Sequence, residues 1–341
     1  MRWRYDFEKH SAEGKRLLKD EVLNILERKK GAVITGGQMA NSLKVSRTAI
    51  WKAINALQAE GNQIESVPNV GYKLLITDDS LSKWAIHSKL STSFVGKQME
   101  ILPVVRSTNQ YIKELDATNI RDGFVVIADE QEQGRGRRSR TFVSGKGEGI
   151  YLSILLKFDG KQKDIRLLTI CTAVAVAKAI ENVCHIDAEI KWVNDVFCNG
   201  KKICGILTEA TLSAELQELD SVIIGIGINT GDIPEEIQEI ATSIKNETGK
   251  QGLRNELAAE VLNSFEEVYL DYIKRDKKQE IIDYYERKLF IKGQQVLVLD
   301  GDKEELATVR GIDEDGALVV ENDNGDTRHL ITGEIKLRGK D

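Results

Sequence analysis

The hydrophobic and polar positions divide the chain into a helical front part, a mixed centre and a strand-rich end. In the front part, apolar residues recur every three or four positions, which predicts amphipathic helices. The predicted elements are a helix from Leu18 to about Gly31, a short helix after the capping box Thr35–Gln38, a third helix from Ser46 to Gly61, and strands over 63–67 and 71–76. Three short helices therefore precede a strand pair, with a turn at Pro68-Asn69 between the strands.

This order of elements is that of a winged helix-turn-helix, in which the third helix enters the major groove of DNA. The residues that we expect to contact DNA are Ser46, Arg47, Thr48 and Asn55, with Lys44, Lys52 and Lys73 placed for phosphates. Trp51 is either a packing residue under the wing or a contact to a thymine methyl group. A three-helix packing module that does not bind DNA is the alternative, because fold alone does not dictate function.

In the centre, two strand-like runs enclose an arginine-rich loop. The runs are 124–128 and 150–156, and segment 134–140 of the loop holds four arginines and two glycines. Arginine offers planar, always-charged donors for phosphate and carboxylate oxygens, and glycine lets the backbone approach a ligand. The loop therefore predicts an anion site, with a solvated basic loop as the alternative.

Two common nucleotide-binding motifs do not fit this loop. It is not Gly-x-x-x-x-Gly-Lys-Ser/Thr, which excludes a P-loop. It also lacks the Gly-x-Gly-x-x-Gly spacing, and no helix is predicted after Arg140, so we do not expect a dinucleotide site.

Residues 188–209 predict a hairpin that gathers charged and amide side chains. The strand-like runs 190–197 and 202–208 flank Asn199-Gly200, the strongest short hairpin signal. The side chains brought together are those of Lys191, Asn194, Asp195 and Lys202. A carboxylate beside an amide suits an Mg²⁺ shell shared with phosphates, and a lysine can neutralise charge that develops on a phosphate. A hairpin with two exposed lysines is the alternative.

Two further segments have candidate binding features. Ser107-Thr108-Asn109 follows a predicted strand at 100–105; Ser107 is either a helix N-cap or one of several polar groups that face a pocket. In the strand 222–229, Gly225 and Gly227 alternate and leave one face bare, which favours a ligand against the backbone.

Three further helices and a strand-rich tail are predicted in the rest of the chain. Residues 164–183 predict a core helix, and 253–273 and 279–289 predict two amphipathic helices. The tail from 293 to 338 has short strands separated by Asp300-Gly301, Asp315-Gly316 and Asn324-Gly325, a spacing that indicates a small β-barrel.

Composition excludes the membrane and secreted classes. With 41% hydrophobic and 30% charged residues in 341, the chain is an ordinary globular protein. No apolar run approaches the ~20 residues of a membrane helix, and the N-terminus has no apolar signal core. The four cysteines form no Cys-x-x-Cys pair, so we expect buried free thiols and a cytoplasmic protein without a membrane partner.

The charge is distributed unevenly along the chain. Residues 1–76 hold 13 Lys and Arg against 8 Asp and Glu, a net charge of +5, so the remainder must carry −11 to give the total of −6. This asymmetry favours contact between the front part and a polyanion.

Taken together, these motifs resemble the bifunctional biotin–protein ligases that also repress the biotin operon, over nearly the whole chain after about residue 18. The resemblance implies an α+β protein with four parts: an N-terminal extension at 1–17, a winged helix-turn-helix domain at 18–77, a central mixed-sheet α/β catalytic domain similar to class II synthetases at 78–290, and a small SH3-like β-barrel at 291–341.

The resemblance also implies roles for individual residues. Ser107, Thr108 and Asn109 would hold the ring end of biotin, and Gln131 with Arg135-Gly136-Arg137 would hold biotin and the adenylate phosphate. The block 191–195 is similar to the family's Lys-Trp-Pro-Asn-Asp, with Asn194 at the ligand and Asp195 as the metal ligand. The implied catalytic residues are Lys202, Arg135, Arg137 and Lys191, and the implied pocket residues are Gly134, Phe142, Gly205, Leu207, Gly225, Gly227 and Asn229.

Four positions depart from the family pattern. Phe142 stands where a tryptophan commonly stacks on adenine, and Val193 replaces the proline of the block. Ser139 stands where glycine is frequent, and Gly145 replaces another proline.

The implied activity has two steps. Biotin and ATP, with Mg²⁺, would form biotinyl-5′-AMP and pyrophosphate, and a lysine of the biotin carboxyl carrier protein would then accept the biotinyl group. The adenylate would also favour a homodimer that binds operator DNA. Two alternatives remain: a transcription factor that only senses biotin or adenylate, and a lipoate ligase.

Overall fold

The structure, a computed structural model, describes residues 18–76, 78–116, 119–158, 165–212, 219–300, 303–331 and 333–337. The N-terminal extension predicted at 1–17 lies outside the described residues. The chain divides into two units, one made of Met1–Ser88 and Gln251–Asn255 and the other of Lys89–Lys250 and Glu256–Asp341.

The first unit has the predicted three helices and strand pair. Its elements are α1 (18–28), α2 (Gly36–Leu43), α3 (Arg47–Ala59), β1 (Ile64–Val67), β2 (Gly71–Leu74) and α4 (Lys83–His87). The predicted capping box is confirmed, because the Gln38 amide donates to Thr35 Oγ1 at 3.0 Å and the Thr35 amide donates to Gln38 Oε1 at 2.9 Å. Ser46 caps α3 as expected, accepting from the Ala49 amide at 3.1 Å.

The α3 helix has the predicted division into two faces. Ile50, Ala53, Ile54 and Leu57 are buried in a core that also includes residues of α1, α2 and both strands. Asn69, at the tip between β1 and β2, has a positive φ of 60° and turns the chain back. The unit is therefore a helix-turn-helix with a two-stranded wing.

The second unit is built on a seven-stranded mixed sheet with the order β3-β4-β5-β9-β8-β7-β6. The strands are β3 (Met99–Leu102), β4 (Val125–Ala128), β5 (Gly149–Lys157), β6 (Glu189–Lys191), β7 (Asp195–Cys198), β8 (Lys201–Leu212) and β9 (Leu219–Asn229). Only the β3–β4 pair among these is parallel, and the other pairs are antiparallel. The predicted mixed sheet is confirmed.

The helices from residue 108 onward are close to those predicted, except for α7 (Ile244–Thr248), which the sequence did not predict. They are α5 (Thr108–Glu114), α6 (Ile165–Cys184), α7 (Ile244–Thr248), α8 (Arg254–Ile273) and α9 (Lys278–Lys288). By length and composition α6 could cross a membrane, contrary to the expectation that no apolar run approaches that length. However, 78% of its apolar window is buried inside the protein, as in a core helix.

The prediction of one continuous strand over 190–197 is wrong. Residues 190–197 form two strands, β6 and β7, which pair with each other and place Lys191 opposite Asp195. Trp192 and Val193 are both buried, so the in-and-out alternation of a strand stops there, and the peptide bond between them is cis. The predicted turn at Asn199-Gly200 is confirmed, with positive φ at both residues.

The tail forms a five-stranded antiparallel sheet with the order β13-β12-β11-β10-β14. Its strands are β10 (Gln295–Asp300), β11 (Lys303–Ile312), β12 (Leu318–Asn322), β13 (Thr327–Leu330) and β14 (Glu334–Leu337). Closure of this sheet into an SH3-like barrel stays a prediction.

All four cysteines are free and buried, as expected. Burial raises the pKa of the Cys184 thiol to about 11 and that of Cys198, which also faces the Glu247 carboxylate, to about 12. It raises the pKa of Cys171 and Cys204 further. The thiols are therefore structural, not reactive.

Candidate active site

The arginine-rich loop between β4 and β5 folds back on itself around Gly134. The Phe142 amide donates to the Gly134 carbonyl at 2.9 Å, and the Gly136 amide donates to the Arg140 carbonyl at 2.7 Å. A Cβ atom at Gly134 would lie 2.2 Å from the Phe142 carbonyl oxygen, so glycine is required there. The loop is thus closed at its base.

Arg137 joins this loop to the β6–β7 hairpin. Its guanidinium donates to Asn194 Oδ1 at 3.1 Å, and Asn194 Nδ2 donates to the Ile206 carbonyl at 2.8 Å. Lys202 Nζ lies 2.7 Å from Asp195 Oδ1, a buried oxygen for which the lysine is the counter-charge. The structure therefore brings together loop, hairpin and β8.

Phe142 lies against the bare strand face that the glycines create. A Cβ atom at Gly227 would be 2.6 Å from its ring, and one at Gly205 would be 3.3 Å from the same ring and 3.1 Å from Lys202 Nζ. The phenyl ring and the Lys202 ammonium therefore line the same small region of β8 and β9. Tyr151 meets the ring edge-on, with 6.4 Å between ring centroids.

Ser107, Thr108 and Asn109 are buried at the start of α5. Ser107 occupies the N-cap position of α5, as the N-cap interpretation predicts, although its side chain makes no cap hydrogen bond. Gln131 Oε1 accepts from the Thr108 amide at 2.9 Å, and Gln131 Nε2 donates to Ser144 Oγ at 3.0 Å. Gln131 thus fixes the start of α5 against the loop.

Two residues that the sequence did not indicate complete this polar end. Ser153 Oγ lies 2.7 Å from Thr108 Oγ1 and 2.6 Å from Asn109 Oδ1. Asn109 Nδ2 donates to Glu209 Oε2 at 2.8 Å. A fully buried serine inside an apolar strand was the available signal for Ser153. No feature of the sequence pointed to Glu209, because a charged residue in a strand usually faces solvent.

Glu209 has a perturbed acidity. Burial by itself raises its pKa, but hydrogen bonds from Lys113 and Asn109 and the positive charges of Lys113 and Arg135 hold the pKa below the usual value. Arg137, by contrast, reaches the hairpin through Asn194.

Other predicted site residues lie around this centre. Lys191 Nζ lies over the Phe197 ring, 5.7 Å from its centroid, and Lys191 is opposite Asp195 in the β6–β7 pair. The Leu207 carbonyl accepts from Asn109 Nδ2 at 3.3 Å, and Asn229 Nδ2 donates to the Thr242 carbonyl at 3.0 Å. A Cβ atom at Gly225 would be 2.5 Å from Asn109 Oδ1.

In the first unit, the predicted DNA-contacting residues are on one exposed surface of α3 and its preceding turn. Lys44, Ser46, Arg47, Thr48, Lys52 and Asn55 are exposed. Trp51 is 52% exposed, so it does not pack under the wing. Lys73 Nζ on the wing is 3.8 Å from Glu65 Oε2 across the strand pair.

Family models match three parts of the chain. Residues 101–229 match the biotin/lipoate A/B protein ligase family, residues 19–73 match a helix-turn-helix (HTH) domain, and residues 292–338 match the biotin protein ligase C-terminal domain.

Curated relatives and a solved structure agree with these matches. The bifunctional ligase/repressor BirA of Bacillus spizizenii is 34% identical over 94% of this chain and 98% of its own length. The Escherichia coli protein of the same name is 30% identical over 90% and 94%. The Aquifex aeolicus biotin protein ligase, solved in complex with biotin and ATP, aligns with a TM-score of 0.62 and 32% identity over 71% of this chain and 99% of that one. Because identity extends across nearly the full length of both chains, this protein belongs to the family of bifunctional biotin ligase/repressor proteins.

Proposed function

We propose that the chain is an ATP-dependent biotin–protein ligase that also represses biotin genes in response to biotin. The observation that carries the proposal is the convergence of Arg137, Lys202 and Asp195 beside a polar pocket at the start of α5. Such a cluster suits a phosphate anhydride, whose oxygens need positive charge and hydrogen-bond donors.

In the first step, an oxygen of the biotin carboxylate attacks the α-phosphorus of ATP. The bond to the β-phosphate oxygen breaks, pyrophosphate leaves, and biotinyl-5′-AMP forms. In the second step, a lysine amine of the biotin carboxyl carrier protein attacks the acyl carbon, AMP leaves, and an amide forms. No protein nucleophile is needed, because each substrate supplies its own.

Catalysis by the protein is therefore positioning and charge neutralisation. Lys202, Arg135 and Arg137 neutralise the negative charge that grows on the phosphate oxygens. Lys191, on β6 and opposite Asp195 of β7, adds to the same positive field. Lys202 is paired with Asp195 in this structure, so it reaches the phosphate by exchanging one anionic partner for another.

The two ends of the pocket bind the two halves of the adenylate. Ser107, Thr108, Asn109 and Gln131 take the ring end of biotin. Phe142 stacks on adenine, and its packing on bare glycine backbone keeps the ring close to Lys202. The bare backbone of β8 and β9 and the base of the loop line the pocket, through Gly134, Gly136, Gly205, Leu207, Gly225, Gly227 and Asn229.

Asp195 and the substrate phosphates fit a magnesium ion. Among the described residues, no group of three or more His, Cys, Asp or Glu forms a protein-only metal site. A buried carboxylate oxygen at Asp195 is the hard ligand that Mg²⁺ prefers, and phosphates supply the others. When bound, the ion neutralises phosphate charge alongside Lys202.

The repressor activity belongs to the first unit. The exposed surface of α3 meets base edges, the lysines at 44, 52 and 73 meet phosphates, and the operator is bound by a homodimer that the adenylate favours. The tail sheet closes as an SH3-like barrel, the central domain is of the class II synthetase type, and the protein acts in the cytoplasm.

Replacing Lys202 tests the enzyme assignment. Lys202→Ala should lower the rate of pyrophosphate release with biotin and ATP by roughly 10²-fold or more. Lys201→Ala is the matched control, because Lys201 Nζ donates to the Gln238 carbonyl at 2.6 Å, away from the site. Near wild-type adenylation by Lys202→Ala would refute the role of this lysine.

A transfer assay separates the remaining alternatives. Labelled biotin, ATP and a biotin carrier domain should yield a labelled carrier, whereas a pure sensor would yield none. Labelled lipoate under the same conditions should give no labelled carrier. A lipoate ligase would instead use lipoate in preference to biotin. Arg47→Ala should abolish binding to DNA from the promoter of biotin synthesis genes and leave carrier labelling unchanged.

A further inference from the structure

Glu209 on β8 is a carboxylate that the proposed reaction does not use, yet it lies beside the polar end of the pocket. Lys113 Nζ donates to its Oε1 at 2.6 Å, and Asn109 Nδ2 donates to its Oε2 at 2.8 Å. Asn109 and Lys113 are one helical turn apart on α5. One carboxylate thus ties a full turn of α5 to the central sheet.

These contacts determine which way the Asn109 amide points. An ionised carboxylate only accepts hydrogen bonds, so it selects the NH₂ end of the amide. The NH₂ also donates to the Leu207 carbonyl at 3.3 Å. The carbonyl oxygen is left on the opposite side, 2.6 Å from Ser153 Oγ and against the bare backbone of Gly225.

The rest of the polar end depends on that orientation. Ser153 Oγ lies within hydrogen-bond distance of both Asn109 Oδ1 and Thr108 Oγ1, at 2.6 and 2.7 Å. The Thr108 hydroxyl in turn lies 3.2 Å from Gln131 Oε1. If the amide were reversed, an NH₂ donor would face the Ser153 hydroxyl, and the order of donors and acceptors along Thr108 and Gln131 would change.

We propose that Glu209 is a positioning residue for the ring end of biotin: by fixing the Asn109 amide, it presets the pattern of donors and acceptors that the ring's urea group meets. The inference rests on the proposed biotin ligase function and deepens it. Glu209 does not touch the reacting atoms and acts through Asn109.

The ion pair with Lys113 is the lesser contact. Both side chains are about 30% exposed, at 31% and 28%, and ion pairs that water reaches contribute little. The contact to Asn109 is better shielded from water, because Asn109 is only 4% exposed. Comparing the loss of the Glu209 carboxylate with the loss of Lys113 alone therefore distinguishes positioning of Asn109 from simple charge pairing.

Glu209→Gln is the test, with Lys113→Met as the matched control. The glutamine keeps the size of the side chain, but its amide removes the charge and no longer forces the orientation of Asn109. Biotin affinity, measured by calorimetry without ATP, should fall by about 10-fold or more. The KM for biotin should rise in parallel, while the KM for ATP stays within about twofold. Lys113→Met should bind biotin within about twofold of the wild type.

A double-mutant cycle gives a second measurement. Asn109→Asp places two carboxylates against each other, and adding Glu209→Gln restores a donor–acceptor pair with the direction reversed. The double variant should therefore bind biotin more tightly than Asn109→Asp alone. A double variant that binds biotin more weakly than Asn109→Asp, by the same factor by which Glu209→Gln lowers the wild-type affinity, would show that the two side chains act independently and would overturn the proposal.

Other outcomes would also overturn it. These are unchanged biotin affinity in Glu209→Gln, an equal loss in Lys113→Met, or a rise in the KM for ATP as large as that for biotin. A wild-type chain that binds no biotin would instead overturn the proposed function, and this inference with it.

Discussion

At the scale of single residues, Gly225 and Gly227 show how one strand serves two parts of the pocket. Both belong to β9 and face the same way, yet added Cβ atoms would meet different neighbours: Asn109 Oδ1 at 2.5 Å and the Phe142 ring at 2.6 Å. Gly225→Ala should therefore raise the KM for biotin, and Gly227→Ala the KM for ATP, each by at least about tenfold. Steady-state kinetics with each substrate varied in turn measures both.

Gly145→Ala serves as the control for this pair, because its Cβ would come no closer than 3.5 Å to Glu148. It should leave both constants within about twofold. The same KM rising in both strand variants would contradict the division of the pocket into two ends.

The sequence was sufficient to predict those site residues whose chemistry is unusual for their position. Arginines beside glycines and a lysine just after an Asn-Gly turn stood out, and the structure places Arg137 and Lys202 against the same hairpin. It was insufficient for Ser153 and Glu209, whose roles arise from neighbours about 45 and 100 residues away. A contact between distant segments leaves no trace in local spacing.

At the scale of elements, Glu266 on α8 holds the segment before β3. Its carboxylate accepts from the Ser93 hydroxyl and from the backbone amides of Ser93, Phe94 and Val95. Burial alone raises its pKa, but these hydrogen bonds outweigh burial and hold the pKa below the usual value of about 4.5. The ionised form therefore stabilises the fold.

Glu266→Gln should lower the free energy of unfolding at pH 7 by on the order of 2 kcal/mol, because three amide donors lose a charged acceptor. Since the folded pKa is depressed, this stabilisation is present above about pH 4.5 and is lost as pH falls through the lower folded value. Urea unfolding at pH 7 and pH 3 measures it, and the difference between variant and wild type should shrink at pH 3. Glu267, next to Glu266, is exposed, so Glu267→Gln should leave the free energy of unfolding unchanged at both pH values. A pH-independent difference would contradict the role of the charge.

Element boundaries followed the sequence where a local signal marks them. Thr35 and Ser46 begin their helices through side-chain caps, and Asn199-Gly200 closes its hairpin. The division between β6 and β7 was missed because Trp192 and Val193 are ordinary strand residues. Their burial is due to tertiary packing, since the indole Nε1 donates to the Gly316 carbonyl in the tail.

At the scale of the whole molecule, the same hydrogen bond ties the tail to segment 191–195. Trp192→Phe keeps an aromatic side chain but removes the indole N–H, which leaves the Gly316 carbonyl without this donor and should cost about 1–3 kcal/mol of unfolding free energy. Adenylation should fall with it, because Trp192 lies two residues before Asn194. Thermal unfolding and pyrophosphate release measure the two effects. Trp51→Phe, at an exposed indole, is the control and should leave both unchanged.

The opposite charges of the front and the remainder of the chain make DNA binding sensitive to salt. Lys52→Ala should reduce the slope of log affinity against log salt concentration by about 0.9, the value of one phosphate contact. Titrations of biotin-promoter DNA at several salt concentrations give the slope. Lys97→Ala, at an exposed lysine outside the first unit, should leave it unchanged. An equal change in both variants would mean that net charge, and not the α3 surface, governs binding.

The burial of Cys171, Cys184, Cys198 and Cys204 has a practical consequence. With thiolates suppressed at neutral pH, the folded chain offers maleimide dyes almost no native target. A single cysteine introduced at Val70, which is 52% exposed beside the wing tip, would then be the thiol that a maleimide fluorophore labels. Such a probe would report the arrival of DNA at the wing while adenylate forms at the other unit, in one cuvette.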